Sequence, residues 1–179
     1  MLTQNHKLFE PLENWYQTVF FNNLKFSKIK IDNNKTNSAI PLRDIPQTKT
    51  DDGHIALYGW KIVIQETRKI LEDLIEDVVT PNMQIIYYPF NGYMNWHTNS
   101  NNQSIRIYLV RSVMEPKSRM KFKNKIIDDK PLWSYNIFKI EQGTWHCIDA
   151  KTERLSLGFH YKGNQDIHQL KQKLIKQGV

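Results

Sequence analysis

Between positions 83 and 161 the chain consists almost entirely of short runs of β-branched and aromatic residues. The runs are "MQIIYYPF", "SIRIYLV", "RMKFKN", "LWSYNIFKI", "GTWHCI" and "RLSLGFHY". Runs of this kind, separated by turn residues, predict strands. Roughly seven or eight short strands in this length close into a two-sheet sandwich or jelly roll. Ahead of them, Trp60, Val63, Ile64, Ile70, Leu71, Leu74, Ile75 and Val78 recur at helical spacing, which predicts a helix over 60–79 stopped by Pro81.

The flanks complete one expected domain over 1–179. Residues 1–59 carry a short helix (12–22), a strand in "LKFSKIKID" (24–32) and a polar loop (32–53) rich in Asn, Thr, Asp and Pro. Residues 60–80 form the supporting helix, 83–162 the strand core and 165–178 a last helix. In that last helix Ile167, Leu170, Leu174 and Ile175 make one apolar stripe. The fold class predicted is β-rich α+β, with helices packed on a sheet.

Composition limits the function classes. With 179 residues, 40% hydrophobic and 24% charged, the chain is long enough for one core and too apolar for a disordered tail. Its apolar runs are broken by Arg or Tyr and too short to cross a bilayer, and "MLTQNHKLFEPLEN" has no secretory pattern. The single cysteine, Cys147, rules out an intramolecular disulfide framework. A cytoplasmic protein with no membrane partner is expected. The net charge of +7 is compatible with nucleic acid as a partner. Because Lys and Arg are spread along the chain, a solvated basic surface is the simpler explanation. Local concentrations remain in "RSVMEPKSRMKFKNK" and "HQLKQKLIK".

Three polar features stand out among the strands: His97 with Asn99 in "MNWHTNSNN", His146 in "GTWHCID", and Arg154 with Ser156 in "RLSLGF". A lone strand histidine is more often a hydrogen-bonded core residue than a ligand. Two of them can meet if their strands face each other across a barrel, and imidazole suits iron, copper, nickel and zinc. Strand alternation puts Arg154, Ser156 and Gly158 on one face and Leu155, Leu157 and Phe159 on the other. A guanidinium beside a hydroxyl suits a carboxylate, although an isolated strand arginine is more often simply exposed. Tyr88 and Tyr108 are either packing aromatics or phenols able to reach a ligand carboxylate.

In order and register these residues resemble the 2-oxoglutarate- and Fe(II)-dependent oxygenases, in particular their prolyl-hydroxylase-like branch. The family's succession of strand Tyr, Gly-containing turn, His-x-Asp/Glu, strand Tyr, distal His and Arg-x-Ser is matched here by Tyr88, Asn91-Gly92, His97-Thr98-Asn99, Tyr108, His146 and Arg154-Leu155-Ser156. The resemblance covers residues 83–161. It implies a double-stranded β-helix with catalytic iron held by His97, His146 and the Asn99 position. It implies 2-oxoglutarate bound through Arg154, Ser156, Tyr88 and Tyr108, with Trp96, Trp145 and Trp133 as apolar walls. The implied activity is a dioxygenase, most simply a hydroxylase, with Fe(II) and 2-oxoglutarate and with ascorbate as an auxiliary reductant.

The departure is Asn99, where the family has Asp or Glu. A neutral amide oxygen is a weaker ligand for a divalent cation and leaves the complex one unit more positive. Three readings stay open. Asn99 ligates through its carbonyl and activity is retained. Or two histidines and the co-substrate hold iron, as in related halogenases that carry Gly or Ala there. Or the metal is lost and a binding fold remains. Asp149 is expected to face away from His146, and Cys147 to be a small strand residue on the opposite face. The alternatives to a hydroxylase are a jelly-roll binding protein without a complete iron site and a nucleic-acid-modifying oxygenase. The substrate is not identified; loops 32–53 and 115–130 are where selection is expected.

Overall fold

The computed structural model describes residues 8–20, 55–57, 61–81, 85–98, 104–113, 117–141 and 143–178. The expected strand at 24–32, the polar loop at 32–53, Trp60 and Asn99 lie outside the described residues.

Ten strands and three helices follow in order: α1 (Phe9–Trp15), a π-helical turn (Tyr16–Phe20), β1 (Ile55–Leu57), α2 (Lys61–Ile75), β2 (Val79–Pro81), β3 (Ile85–Tyr88), β4 (Tyr93–His97), β5 (Ser104–Ser112), β6 (Arg119–Phe122), β7 (Lys125–Asp128), β8 (Leu132–Ile140), β9 (His146–Asp149), β10 (Arg154–Tyr161) and α3 (Ile167–Lys176). Every pairing among the described residues is antiparallel. Within β3–β10 the first strand pairs with the last, β4 with β9, β5 with β8 and β6 with β7. Two further pairings, β10 with β5 and β9 with β6, roll this long hairpin into two sheets. One sheet has the order β1-β3-β10-β5-β8 with β2 also on β10, and the other β4-β9-β6-β7. That order is a double-stranded β-helix, the jelly roll.

Alternation along β10 explains why all eight of its residues are buried. Leu155, Leu157 and Phe159, none more than 1% exposed, join Leu71, Leu74, Ile75, Leu170 and Leu174 in a core between the larger sheet and its helices. Burying each such side chain contributes roughly 1.5–3 kcal/mol. The opposite face carries Arg154 and Ser156, in register with Tyr88 and Ile86 of β3. Tyr88 and Ile86 belong to the second core, between the sheets, with Tyr108, Val110, Phe138 and Ile148. Arg154 is therefore buried, not on an exposed strand face.

The turn from β3 to β4 uses Asn91 in the left-handed region (φ 57), which Asn tolerates better than most side chains. The Gly92 N–H donates to the Pro89 carbonyl at 2.7 Å.

Four local expectations are corrected. The helix expected to run to 79 ends at Ile75, and Glu76 takes a left-handed φ of 54. There the Asp77 carboxylate accepts from the Val78 N–H and Lys173 Nζ donates to the Ile75 carbonyl. Val79 then finds its burial by pairing with Tyr161, so Pro81 closes a short strand, while Val78 lies exposed. In α3, Leu170 and Leu174 are buried but Ile175 is 56% exposed, because it lies a further residue round the helix. Asp166 caps α3 in a reciprocal capping box with Gln169. The first helix begins earlier than expected, at Phe9. Its Glu13 accepts from Arg111 Nε and Nη2 (2.7 and 2.9 Å) and from Trp133 Nε1 (2.7 Å), tying α1 to the larger sheet. Trp133 thus lies in the helix-side core, stacked on Phe9, and is not a wall of the space between the sheets.

Candidate functional site

β4 and β9 are neighbours in the smaller sheet, and their register sets His97 opposite His146. The two imidazoles meet as cross-strand partners within one sheet, not across the barrel. Their ring centroids are 4.3 Å apart. Each imidazole is held in the same way: His97 Nδ1 lies 2.7 Å from the Asn95 carbonyl and His146 Nδ1 3.1 Å from the Thr144 carbonyl. A carbonyl can only accept, so Nδ1 carries a proton in each ring and Nε2 is the nitrogen left to face a metal. Burial, reinforced by His97 and then by Arg106, pushes His146 down to about 4. Its ring is therefore neutral at ordinary pH, as ligation requires. The Phe122 ring lies 5.8 Å from that of His146.

Among the described residues no group of three His, Cys, Asp or Glu side chains gathers to hold a metal; Asn99 lies outside them. Asp149 lies on the other face of β9 from His146, paired with Lys121 and Lys151 at 3.1 Å each. Cys147 also lies on that other face, opposite Lys121, and burial pushes its thiol up to about 12. Two adjacent imidazoles, each with Nδ1 turned to a backbone carbonyl, fit an imidazole-binding divalent metal as part of a donor set.

Arg154 starts β10, opposite Tyr88 and Ser112. Its guanidinium is already engaged: Nε donates to Asp129 Oδ2 at 2.7 Å, with the two side chains 2% and 0% exposed. Burial opposes its charge, but Asp129 and Tyr88 outweigh this and raise its pKa. The Tyr88 ring centroid lies 5.2 Å from Arg154 Cζ. Nη1 of Arg154 and Oδ1 of Asp129 are buried without a hydrogen-bond partner. Ser156 is buried on the same face. Tyr108 stacks on Phe138 with centroids 5.3 Å apart. Of the remaining expected walls, Trp96 is buried and Trp145 half-buried.

Three residues that sequence reasoning passed over belong here. Asp129 left no signal, being one of two aspartates after a strand. Arg106 did leave one: it interrupts the apolar strand "SIRIYLV" on the Tyr108 face. His160 continues the inward face of β10, opposite Arg106. Its ring nitrogen lies 3.2 Å from Ser104 Oγ, and burial together with Arg106 and Lys162 pushes it down to about 4. In the basic stretch, Arg111 pairs with Glu13, Arg119 with Asp128 and Lys121 with Asp149, which removes much of its charge as a nucleic-acid surface.

No helix among the described residues is long and apolar enough to cross a membrane. No family model matches the chain, and no curated protein matches it significantly. Similar solved structures include a cupin superfamily protein from Desulfitobacterium hafniense, with 14% identity over 66% of this chain and 84% of that one and a TM-score of 0.36. A predicted oxalate decarboxylase from Thermotoga maritima shares 10% over 60% and 76%, with a TM-score of 0.34. KdgF from Halomonas sp. shares 12% over 47% and 74%, with a TM-score of 0.33. These likenesses are too distant to carry an assignment, and the jelly roll is established by the strand order itself.

Proposed function

We propose that the chain is a 2-oxoglutarate- and Fe(II)-dependent dioxygenase that hydroxylates a substrate not yet identified. The observation that carries this reading is the His97–His146 pair: two imidazoles 4.3 Å apart in the jelly roll, both with Nδ1 committed to a backbone carbonyl. In this reading His97 and His146 hold the iron through Nε2, with Asn99 offering an amide oxygen. When bound, the metal supplies oxidation of a C–H bond by O2, coupled to conversion of 2-oxoglutarate to succinate and carbon dioxide. The carbonyls of Asn95 and Thr144 orient the two rings and fix their tautomers. Arg154 Nη1, buried and without a hydrogen-bond partner, is the donor left for the co-substrate's far carboxylate, with Ser156 on the same face. The Tyr88 and Tyr108 rings exclude water around it.

A second reading, a jelly-roll binding protein without turnover, is favoured by one observation. Asp129 already neutralises the arginine that the co-substrate would need. Anaerobic titration with Fe(II), followed by aerobic incubation with 2-oxoglutarate and ascorbate, separates the two. Iron uptake that disappears in His97→Ala and His146→Ala, together with succinate formation, supports the enzyme. Iron uptake unchanged in both variants, or no succinate, overturns it.

A further inference from the structure

Arg106 carries a charge that neither reading uses. It lies in β5, 4% exposed, opposite Phe138 on β8 and His160 on β10. Strand alternation puts it on the face of Tyr108 and Val110, which pack between the two sheets. Its Nε is buried without a hydrogen-bond partner. Every other arginine among the described residues has a carboxylate: Arg68 pairs with Glu72, Arg111 with Glu13, Arg119 with Asp128 and Arg154 with Asp129. For Arg106 no such pair exists among the described residues, and the Tyr108 phenol is the polar group that supports its charge against burial. A buried guanidinium without a counter-charge is costly, so its position there points to an anion that enters from outside.

The neighbourhood says where that anion would lie. A chain of ring contacts runs from Phe138, directly opposite Arg106, through Phe122 (5.3 Å) and His146 (5.8 Å) to His97 (4.3 Å). The field of Arg106 also reaches both His146 and His160, since it helps to depress each imidazole. One end of the inter-sheet space therefore gathers His97, His146, His160 and Arg106. The Phe122, Phe138 and Tyr108 rings pack together beside them. Aromatic walls offer few donors, so a singly charged planar carboxylate, matched to one guanidinium fork, is easier to desolvate there than a phosphate dianion.

We propose that Arg106 anchors the carboxylate of a small organic acid lying alongside the His97–His146 pair. The carboxylate belongs either to the keto-acid co-substrate or to the molecule acted upon. The anchor rests on the proposed function only in treating the two histidines as one ligand site, and does not depend on iron.

The test uses the metal-free full chain at low ionic strength, titrated calorimetrically and by thermal shift with acetate, 2-oxoglutarate and inorganic phosphate. Wild type is expected to bind a carboxylate at millimolar concentration or better and to gain melting temperature. Arg106→Gln should bind it at least on the order of tenfold more weakly and, with no carboxylate present, should melt no lower than wild type, because an uncompensated charge has gone. Arg106→Lys keeps the charge without the fork and should fall between the two. Dependence on Arg106 for 2-oxoglutarate identifies the co-substrate as the acid. Dependence for acetate, with 2-oxoglutarate binding unchanged, identifies the acted-upon molecule. Carboxylate affinity unchanged in Arg106→Gln, no carboxylate binding by wild type, binding of phosphate alone, or a lower melting temperature of unliganded Arg106→Gln would each overturn the anchor. If no succinate forms but Arg106-dependent binding persists, the dioxygenase fails and the anchor stands.

Discussion

Asp129→Asn is the most informative single change, because it separates a structural ion pair from a ligand site. The carboxylate accepts from Arg154 Nε at 2.7 Å, and neither side chain is more than 2% exposed. Removing one partner of a buried pair costs about 3–5 kcal/mol, because the surviving charge stays desolvated. Two features soften this. Asparagine keeps a carbonyl able to accept from Nε, worth roughly 1 kcal/mol, and the Tyr88 ring still faces the guanidinium, worth about 0.5–2 kcal/mol. The expected loss is therefore about 2–3 kcal/mol, read by urea unfolding with far-UV circular dichroism at constant m-value. In the double variant Asp129→Asn with Arg154→Met the buried charge is gone, and stability should return to within about 1 kcal/mol of wild type. If the proposed function holds, Asp129→Asn also leaves the guanidinium charge for 2-oxoglutarate to neutralise. Adding the acid at about a hundred times its dissociation constant should then restore about 2.7 kcal/mol. A single variant as stable as wild type, or a double variant no better than the single, would refute the pairing argument. Restoration by 2-oxoglutarate that persists after Arg154→Met would refute the ligand role alone.

Three further outcomes are expected. Glu13 is held from its ordinary 4.5 down to about 2, first by its hydrogen bonds to Arg111, against burial, with help from Gln17 and Trp133. A folded pKa below the unfolded one stabilises above about pH 4.5, and that contribution is lost as pH falls towards 2. With the side chain 32% exposed, screening reduces the effect to about 1–2 kcal/mol, so Glu13→Gln should flatten the acid limb of the stability curve; an unchanged limb refutes the tether. Arg154→Leu, made on the Asp129→Asn background so that no carboxylate is stranded, should weaken 2-oxoglutarate binding by more than about tenfold, and unchanged calorimetric affinity would remove Arg154 from the site. Asn99→Asp should tighten Fe(II) binding by roughly 10- to 100-fold over Asn99→Ala if this position is a ligand; equal affinity in the two variants would show that it is not.

Much of the fold is written locally. The runs "LWSYNIFKI" and "RLSLGFHY" coincide with β8 and β10, and "SIRIYLV" opens β5, because β-branched and aromatic side chains and period-two alternation act within a single strand. The last helix is equally local: Asp166 and Gln169 close its start and Leu170 and Leu174 define its buried face. The order of His97, His146 and Arg154 was likewise readable in the sequence. Alternation states which residues share a face but not what that face meets. Both faces of β10 are buried, so only the sheet order decides that Leu157 meets helices while Ser156 looks between the sheets. The apolar residues beyond Ile75 would let α2 run on; the pairing of Val79 with Tyr161 draws them into a strand instead. Charge neutralisation is the least local property of all. Arg154 takes its counter-ion from Asp129, in a segment of the smaller sheet's side of the chain, and Arg106, equally buried, takes none among the described residues. Ion pairs form through space between elements that packing brings together, so the sequence by itself determined the strands and the candidate ligands, while the tertiary structure alone decided which buried charges are already satisfied.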